Sequence, residues 1–161
     1  MTNGMWFFTM ALTYRVRRPL ALIIEDQSTT VYSRVSGYTS RSDAYKAIYE
    51  FCRGNLITDL GMPATIRPSV QFWTLDRDDL TSLAPPGTSW HYTITFRTEL
   101  PGSPPTTEPT HRTFSGTLDS PVSRYDAYKE ISDRAHRELG LPDDGTFLQV
   151  TGWTLGPDVL D

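Results

Sequence analysis

Three carboxylates crowd into Leu75-Asp76-Arg77-Asp78-Asp79-Leu80, and such a cluster of oxygen donors is what a hard cation requires. The stretch lacks the glycine and the distal glutamate of a calcium loop, so it reads instead as a solvated strand end. The three histidines, His91, His111 and His136, stand in a strand, near a loop end and on a helix, with no two at metal-ligand spacing. Cys52 is the single thiol. As a nucleophile it would need an exposed thiolate beside a base, yet it falls on an apolar helical stripe. No G-x-S-x-G, no phosphate-cradling glycine loop and no H-E-x-x-H occurs. These residues assign no catalytic role, no metal and no cofactor, and the expectation is a protein that is not an enzyme.

What remains is chemistry of binding. Leu20, Ala21, Leu22, Ile23 and Ile24 form an apolar run where a loop is expected. Such a run either extends a hairpin and packs internally or forms a patch that another chain covers, so Leu20, Leu22, Ile23 and Ile24 are candidate partner-binding residues. Phe7, Arg15, Tyr32 and Arg34 fall on alternate strand positions, with Arg17 and Arg18 at the rim. Aromatic rings interleaved with arginines on an open sheet could stack bases and neutralise phosphates, which makes these six residues a candidate nucleic-acid face. The competing reading is a polar sheet face with ordinary cross-strand pairs.

Charge and composition narrow the choice. The net charge is −4 over 161 residues, which argues against a wholesale nucleic-acid or acidic-membrane binder. The balance is uneven: nine Arg and Lys against eight Asp and Glu up to residue 80, then six against eleven. Any polyanion contact would therefore fall in the first half. A lone cysteine excludes an intrachain disulfide and fits a reducing compartment, so a cytoplasmic location is expected. Met5 to Leu12 is too short, and too poorly flanked by basic residues, for a signal peptide, and no run of about 18 apolar residues exists to span a membrane.

The elements that must position these groups are written twice. Ser40-Arg41-Ser42-Asp43-Ala44-Tyr45-Lys46-Ala47-Ile48 returns 83 residues later as Ser123-Arg124-Tyr125-Asp126-Ala127-Tyr128-Lys129-Glu130-Ile131. Trp6 to Leu12 matches Trp90 to Phe96 at an offset of 84, and Trp73-Thr74-Leu75 matches Trp153-Thr154-Leu155 at an offset of 80. The chain is a tandem duplication: repeat one over residues 5–80, a proline-rich linker over 81–89, repeat two over 90–161.

Within each repeat, Trp6, Phe8, Met10, Leu12 and Tyr14, or Trp90, Tyr92, Ile94 and Phe96, alternate as in a half-buried strand. A second strand carries Val31, Ser33 and Val35, matched by Phe114, Gly116 and Leu118. The helix stripe is Tyr45, Ile48, Cys52 and Leu56, answered by Tyr128, Ile131, Ala135 and Leu139. Ser40 with Asp43, and Ser123 with Asp126, have capping-box spacing. A third strand follows in each. A right-handed crossover makes the third strand parallel to the second; if it sits beside the first, the ββαβ unit has strand order 2-1-3, all antiparallel, with a helix on one face and a wet, Thr-rich opposite face. One helix on three strands makes a thin core, so the expected α+β fold is two tandem ββαβ repeats packed as an intramolecular pseudo-dimer about a pseudo-twofold, through sheet edges or helix faces.

Each repeat also resembles a group of short uncharacterised proteins of GC-rich bacteria, often carried on plasmids and integrated elements, with a T-R-x-D-x-Y helix start and an F-x-L-x-P-N-x-L ending. The matching residues are Ser40-Arg41-Ser42-Asp43-Ala44-Tyr45 with Phe72-Trp73-Thr74-Leu75-Asp76, and Ser123-Arg124-Tyr125-Asp126-Ala127-Tyr128 with Trp153-Thr154-Leu155-Gly156-Pro157. Serine replaces the threonine, and the final asparagine is Asp78 or Asp158. The resemblance implies a mobile-element or phage context and brings no reaction with it. The expectation is a non-enzymatic binding or interaction module, with a protein partner or self-association and no membrane. The alternatives are a nucleic-acid-binding accessory protein and, behind it, a small hydrolase-like enzyme with a site between the repeats.

Overall fold

The computed structural model describes residues 4–17, 24–98, 110–140 and 148–159. Repeat one consists of β1 (Trp6–Arg17), β2 (Ile24–Val35), α1 (Arg41–Leu60) and β3 (Ser69–Arg77). Repeat two consists of β4 (Ser89–Thr98), β5 (Thr110–Asp119), α2 (Arg124–Leu139) and β6 (Leu148–Pro157). The sheets run β2-β1-β3 and β5-β4-β6, every neighbouring pair antiparallel, the order expected when the third strand sits beside the first. The fold is α+β and its ββαβ unit is duplicated.

Duplication extends to the register. Trp6 faces Val35 as Trp90 faces Leu118, and Met10 faces Trp73 as Ile94 faces Trp153. Each central strand carries its register shift at the same place, between Ala11 and Leu12 and between Thr95 and Phe96. Both helices start on a serine cap: Asp43 N–H donates to Ser40 Oγ and Asp126 N–H to Ser123 Oγ, each at 3.1 Å. The aspartate carboxylates accept from the serine hydroxyls at 2.9 Å, holding each oxygen over the first turn. Both helices end on a left-handed glycine, Gly61 (φ 66°) and Gly140 (φ 65°), a conformation a Cβ would disfavour.

The first core lies between sheet one and α1. Phe8, Met10, Leu12 and Tyr14 meet Ala44, Ile48, Cys52 and Leu56 there. In repeat two Trp90, Tyr92, Ile94 and Phe96 meet Ala127, Ile131 and Ala135. The second core does not stop at the repeat boundary. It takes in Leu80 from the chain leading to the linker and Phe7 from β1, with Tyr32 and Phe72 packed against it.

Sheet one is therefore covered on both faces. α1 lies on one; α2 and the edge strand β6 lie on the other, and every residue from Phe7 to Leu12 is buried. A central strand buried on two sides explains why Phe7-Phe8-Thr9-Met10-Ala11-Leu12 contains nothing charged. The wet face expected of both sheets exists in repeat two alone, where His91, Thr113, Ser115, Thr117 and Thr154 are exposed. The expected pseudo-twofold is also corrected. A two-fold joins equivalent surfaces, whereas here a sheet face meets a helix and a strand edge, a head-to-tail contact.

Candidate functional site

Phe7 is fully buried. Its ring meets those of Tyr32 (6.4 Å), Tyr125 (6.2 Å), Tyr128 (5.5 Å) and Trp153 (5.8 Å), two of them edge-on. Tyr32 lies against Tyr125 and Tyr128 at 5.6 and 4.7 Å. Arg34 Nε donates to Asp78 Oδ2 at 2.7 Å and its Nη2 to Ser123 Oγ at 3.0 Å, with the guanidinium 4.4 Å from the Tyr125 ring. The candidate nucleic-acid face is thus corrected for these three residues. They meet the second repeat, because rings and an arginine that could hold bases are satisfied by tyrosines, a tryptophan and a carboxylate of the same chain. Arg15 is exposed on β1, opposite Asp26 on β2. Arg17 ends β1, while Arg18 lies outside the described residues.

Asp78 is the hub of this joint. It is 6% exposed; besides Arg34 it takes the Tyr125 N–H on Oδ1 at 2.8 Å, and its carbonyl takes the Arg124 N–H at 2.7 Å. A carboxylate at the first turn of α2 is favoured by the orphan amides and the helix dipole. The reading of Asp76, Asp78 and Asp79 as a solvated strand end fails at Asp78. Farther along sheet one, Val150 N–H donates to Thr30 Oγ1 at 3.0 Å and Gln149 Nε2 reaches Thr13 Oγ1 at 3.1 Å. These two bonds tie β6 to sheet one.

Cys52 is buried, and burial pushes its thiol up to about 12, so it carries no thiolate near neutrality. The same cause raises the phenols of Tyr14, Tyr32 and Tyr128. His136 Nδ1 lies 2.7 Å from the Ser132 carbonyl, to which it donates, and its buried Nε2 has no partner among the described residues. No group of three or more His, Cys, Asp or Glu among the described residues could hold a metal ion. None of the helices among them is long and apolar enough to cross a membrane.

An open feature of repeat one is a groove of about 200 Å³ between β2 and α1, lined by Phe8, Ser33, Arg34, Val35, Tyr38, Ala47, Ile48 and Phe51. Phe51 is 52% exposed and Tyr38 42%. In repeat two an ion pair spans the matching place. Arg134, the counterpart of Phe51, donates to the Thr117 carbonyl at 3.0 Å and pairs with Glu130, the counterpart of Ala47. Sequence reasoning missed this groove, although the contrast of Phe51 with Arg134 on otherwise matching helices was a legible signal. Of the apolar run, Leu20, Leu22 and Ile23 lie outside the described residues, and Ile24 opens β2 opposite Arg17.

Comparison with protein-family models, curated proteins and solved structures gives no match to this chain.

Proposed function

We propose that the protein is a non-enzymatic binding module whose first repeat takes an extended, apolar segment of a protein partner in the groove between β2 and α1. One observation carries this reading: an Arg–Glu pair spans this place in repeat two, whereas repeat one has a groove there with a half-exposed phenylalanine. β2 is an edge strand, and the groove runs beside its Ser33-Arg34-Val35 end. An edge strand next to an apolar trough suits strand addition, in which the main chain supplies affinity and alternate side chains enter the trough. The apolar run Leu20 to Ile24 belongs to the same proposal as a second contact. A mobile-element setting, supported by the short motifs of each repeat, is part of it too.

The test is selection of peptides on the intact protein from a random library, followed by amide NMR titration of the unaltered chain and of Phe51→Arg. The expected result is apolar, extended peptides that shift Ser33 to Val35 and Ala47 to Phe51, with affinity lost at least tenfold in the variant. Shifts confined to other surfaces, or unchanged affinity in Phe51→Arg, would refute the proposal.

A further inference from the structure

The joint uses one face of each repeat, and among the described residues the equivalent face of the other repeat is left uncovered. Shared register and shared helix caps set the equivalences. The receiving face of sheet one, Phe7, Tyr32 and Phe72, corresponds to His91, Ser115 and Gly152 on sheet two. The docking face of repeat two, Tyr125, Tyr128 and Trp153, corresponds to Ser42, Tyr45 and Trp73 on repeat one.

These unused surfaces have diverged in opposite ways. Tyr128 and Trp153 meet edge-on at 5.2 Å and are sealed beneath Phe7 and Tyr32, 2% and 8% exposed. Tyr45 and Trp73 make the same edge-on pair at 5.0 Å, with Tyr49 stacked beside Tyr45 at 6.5 Å, and all three remain half-buried. The docking face of repeat one has kept two of its three rings, Tyr45 and Trp73; Ser42 stands in place of Tyr125, and Tyr49 adds a ring where repeat two has Ser132. The receiving face of repeat two has lost them: only the hydroxyl pair of Thr93 with Thr154 (2.7 Å) survives, matching Thr9 with Thr74 (2.7 Å) in the covered joint. Head-to-tail contacts leave one free surface of each kind and propagate unless an end is altered.

We infer that the α1–β3 face of repeat one, built on Tyr45, Tyr49 and Trp73, docks a separate chain presenting the aromatic face of a three-stranded antiparallel sheet, and that the bare sheet of repeat two ends the stack. What covers the equivalent surface inside this chain identifies the occupant. A second copy brings His91, Ser115 and Gly152 to the contact, with no benzene or phenol ring at those three places, so it does not suit. By the pattern of Asp78 and Arg34, the partner sheet also carries a carboxylate for the first turn of α1 and a cation for the Ser40 hydroxyl. This face is distinct from the β2–α1 groove and stands independently of the function proposed there.

The chain can supply its own probe. His91→Phe, Ser115→Tyr and Gly152→Phe together rebuild the receiving rings on sheet two. His91 and Ser115 are exposed, and a Cβ at Gly152 meets nothing within 4 Å, so none of the three replacements falls on a buried position. Light scattering coupled to size exclusion should show a monomeric parent and, in the triple variant, a concentration-dependent mass at least doubled. Adding Ser42→Glu, which puts a charge where the counterpart of Tyr125 must be covered, should restore the monomer. A triple variant that stays monomeric with native circular dichroism overturns the inference. So do oligomers that survive Ser42→Glu, since three exposed rings would then be merely sticky. An unaltered chain that already oligomerises and is dispersed by Ser42→Glu overturns it in favour of a second copy. If the glycine replacement alone disturbs folding, His91→Phe with Ser115→Tyr is read by the same criteria.

Discussion

Phe7→Ala against His91→Ala tests the joint with a built-in control. The two residues hold the same register position in the two sheets, yet Phe7 is fully buried and His91 is exposed. Truncating a buried phenylalanine costs about 3–5 kcal/mol, made up of lost transfer energy and the cavity left behind. Four rings surround Phe7, and edge-on pairs add roughly 0.5–1.5 kcal/mol each beyond area. Collapse around the gap is resisted by Tyr128 and Trp153, themselves held by α2 and β6. A value of about 4 kcal/mol is therefore expected, or a fall of about 8–16 °C in Tm for a chain of this length. His91→Ala removes an exposed side chain and should stay within about 0.5 kcal/mol of the parent. Urea unfolding followed by fluorescence and far-UV circular dichroism measures both. If Phe7→Ala loses less than about 1.5 kcal/mol, or no more than His91→Ala, the repeats do not share a core through this face.

Three further outcomes follow from the same geometry. Asp78→Ala removes a charge-assisted bond to the partly exposed Arg34 and a first-turn acceptor from α2, and should cost about 2–3 kcal/mol by urea titration; Asp158→Ala, at the exposed matching position, should change stability by under about 0.5 kcal/mol. Cys52 should resist a thiol reagent in the folded protein at mildly alkaline pH and react at once in denaturant, and rapid labelling of the native chain would contradict its burial. The Cys52 thiol and the phenols of Tyr14, Tyr32 and Tyr128 are all raised by burial, so the stability they confer is complete below their ordinary values of 9.0 and 10.0 and is lost as pH climbs towards the raised folded values. A stability profile that stays flat across that alkaline window would contradict this assignment.

Much of the architecture was legible because it rests on local periodicity. The spacing of Ile48, Cys52 and Leu56 marks a buried helical stripe, and the serines at 40 and 123 mark where the helices begin. Handedness makes the third strand parallel to the second, and placing it beside the first gives the order 2-1-3 that the sheets have. The candidate site was less legible. Phe7, Tyr32 and Arg34 look the same on paper whether rings meet bases or other rings, and the two outcomes differ only in what lies across the sheet. The useful signal was the difference between copies: Phe7, Ala11 and Phe72 against His91, Thr95 and Gly152 mark one face as covered and the other as wet. Asp78 was misread for a related reason, since a carboxylate at a strand end reveals nothing of a helix start 47 residues later.

By itself the sequence determined that there are two copies of one unit, what each unit is, and where its helices start and stop, because caps, alternation and helical stripes act between residues close along the chain. Tertiary structure alone decided which surfaces of the two copies meet. That choice depends on side chains far apart in sequence packing across a shared boundary, and it is unequal: the same scaffold buries a sheet face in one copy and leaves it wet in the other. A face lined with Phe7 and Tyr32 is more favourably sealed by a second repeat than left in water, whereas one lined with His91, Thr93 and Ser115 is already solvated without help.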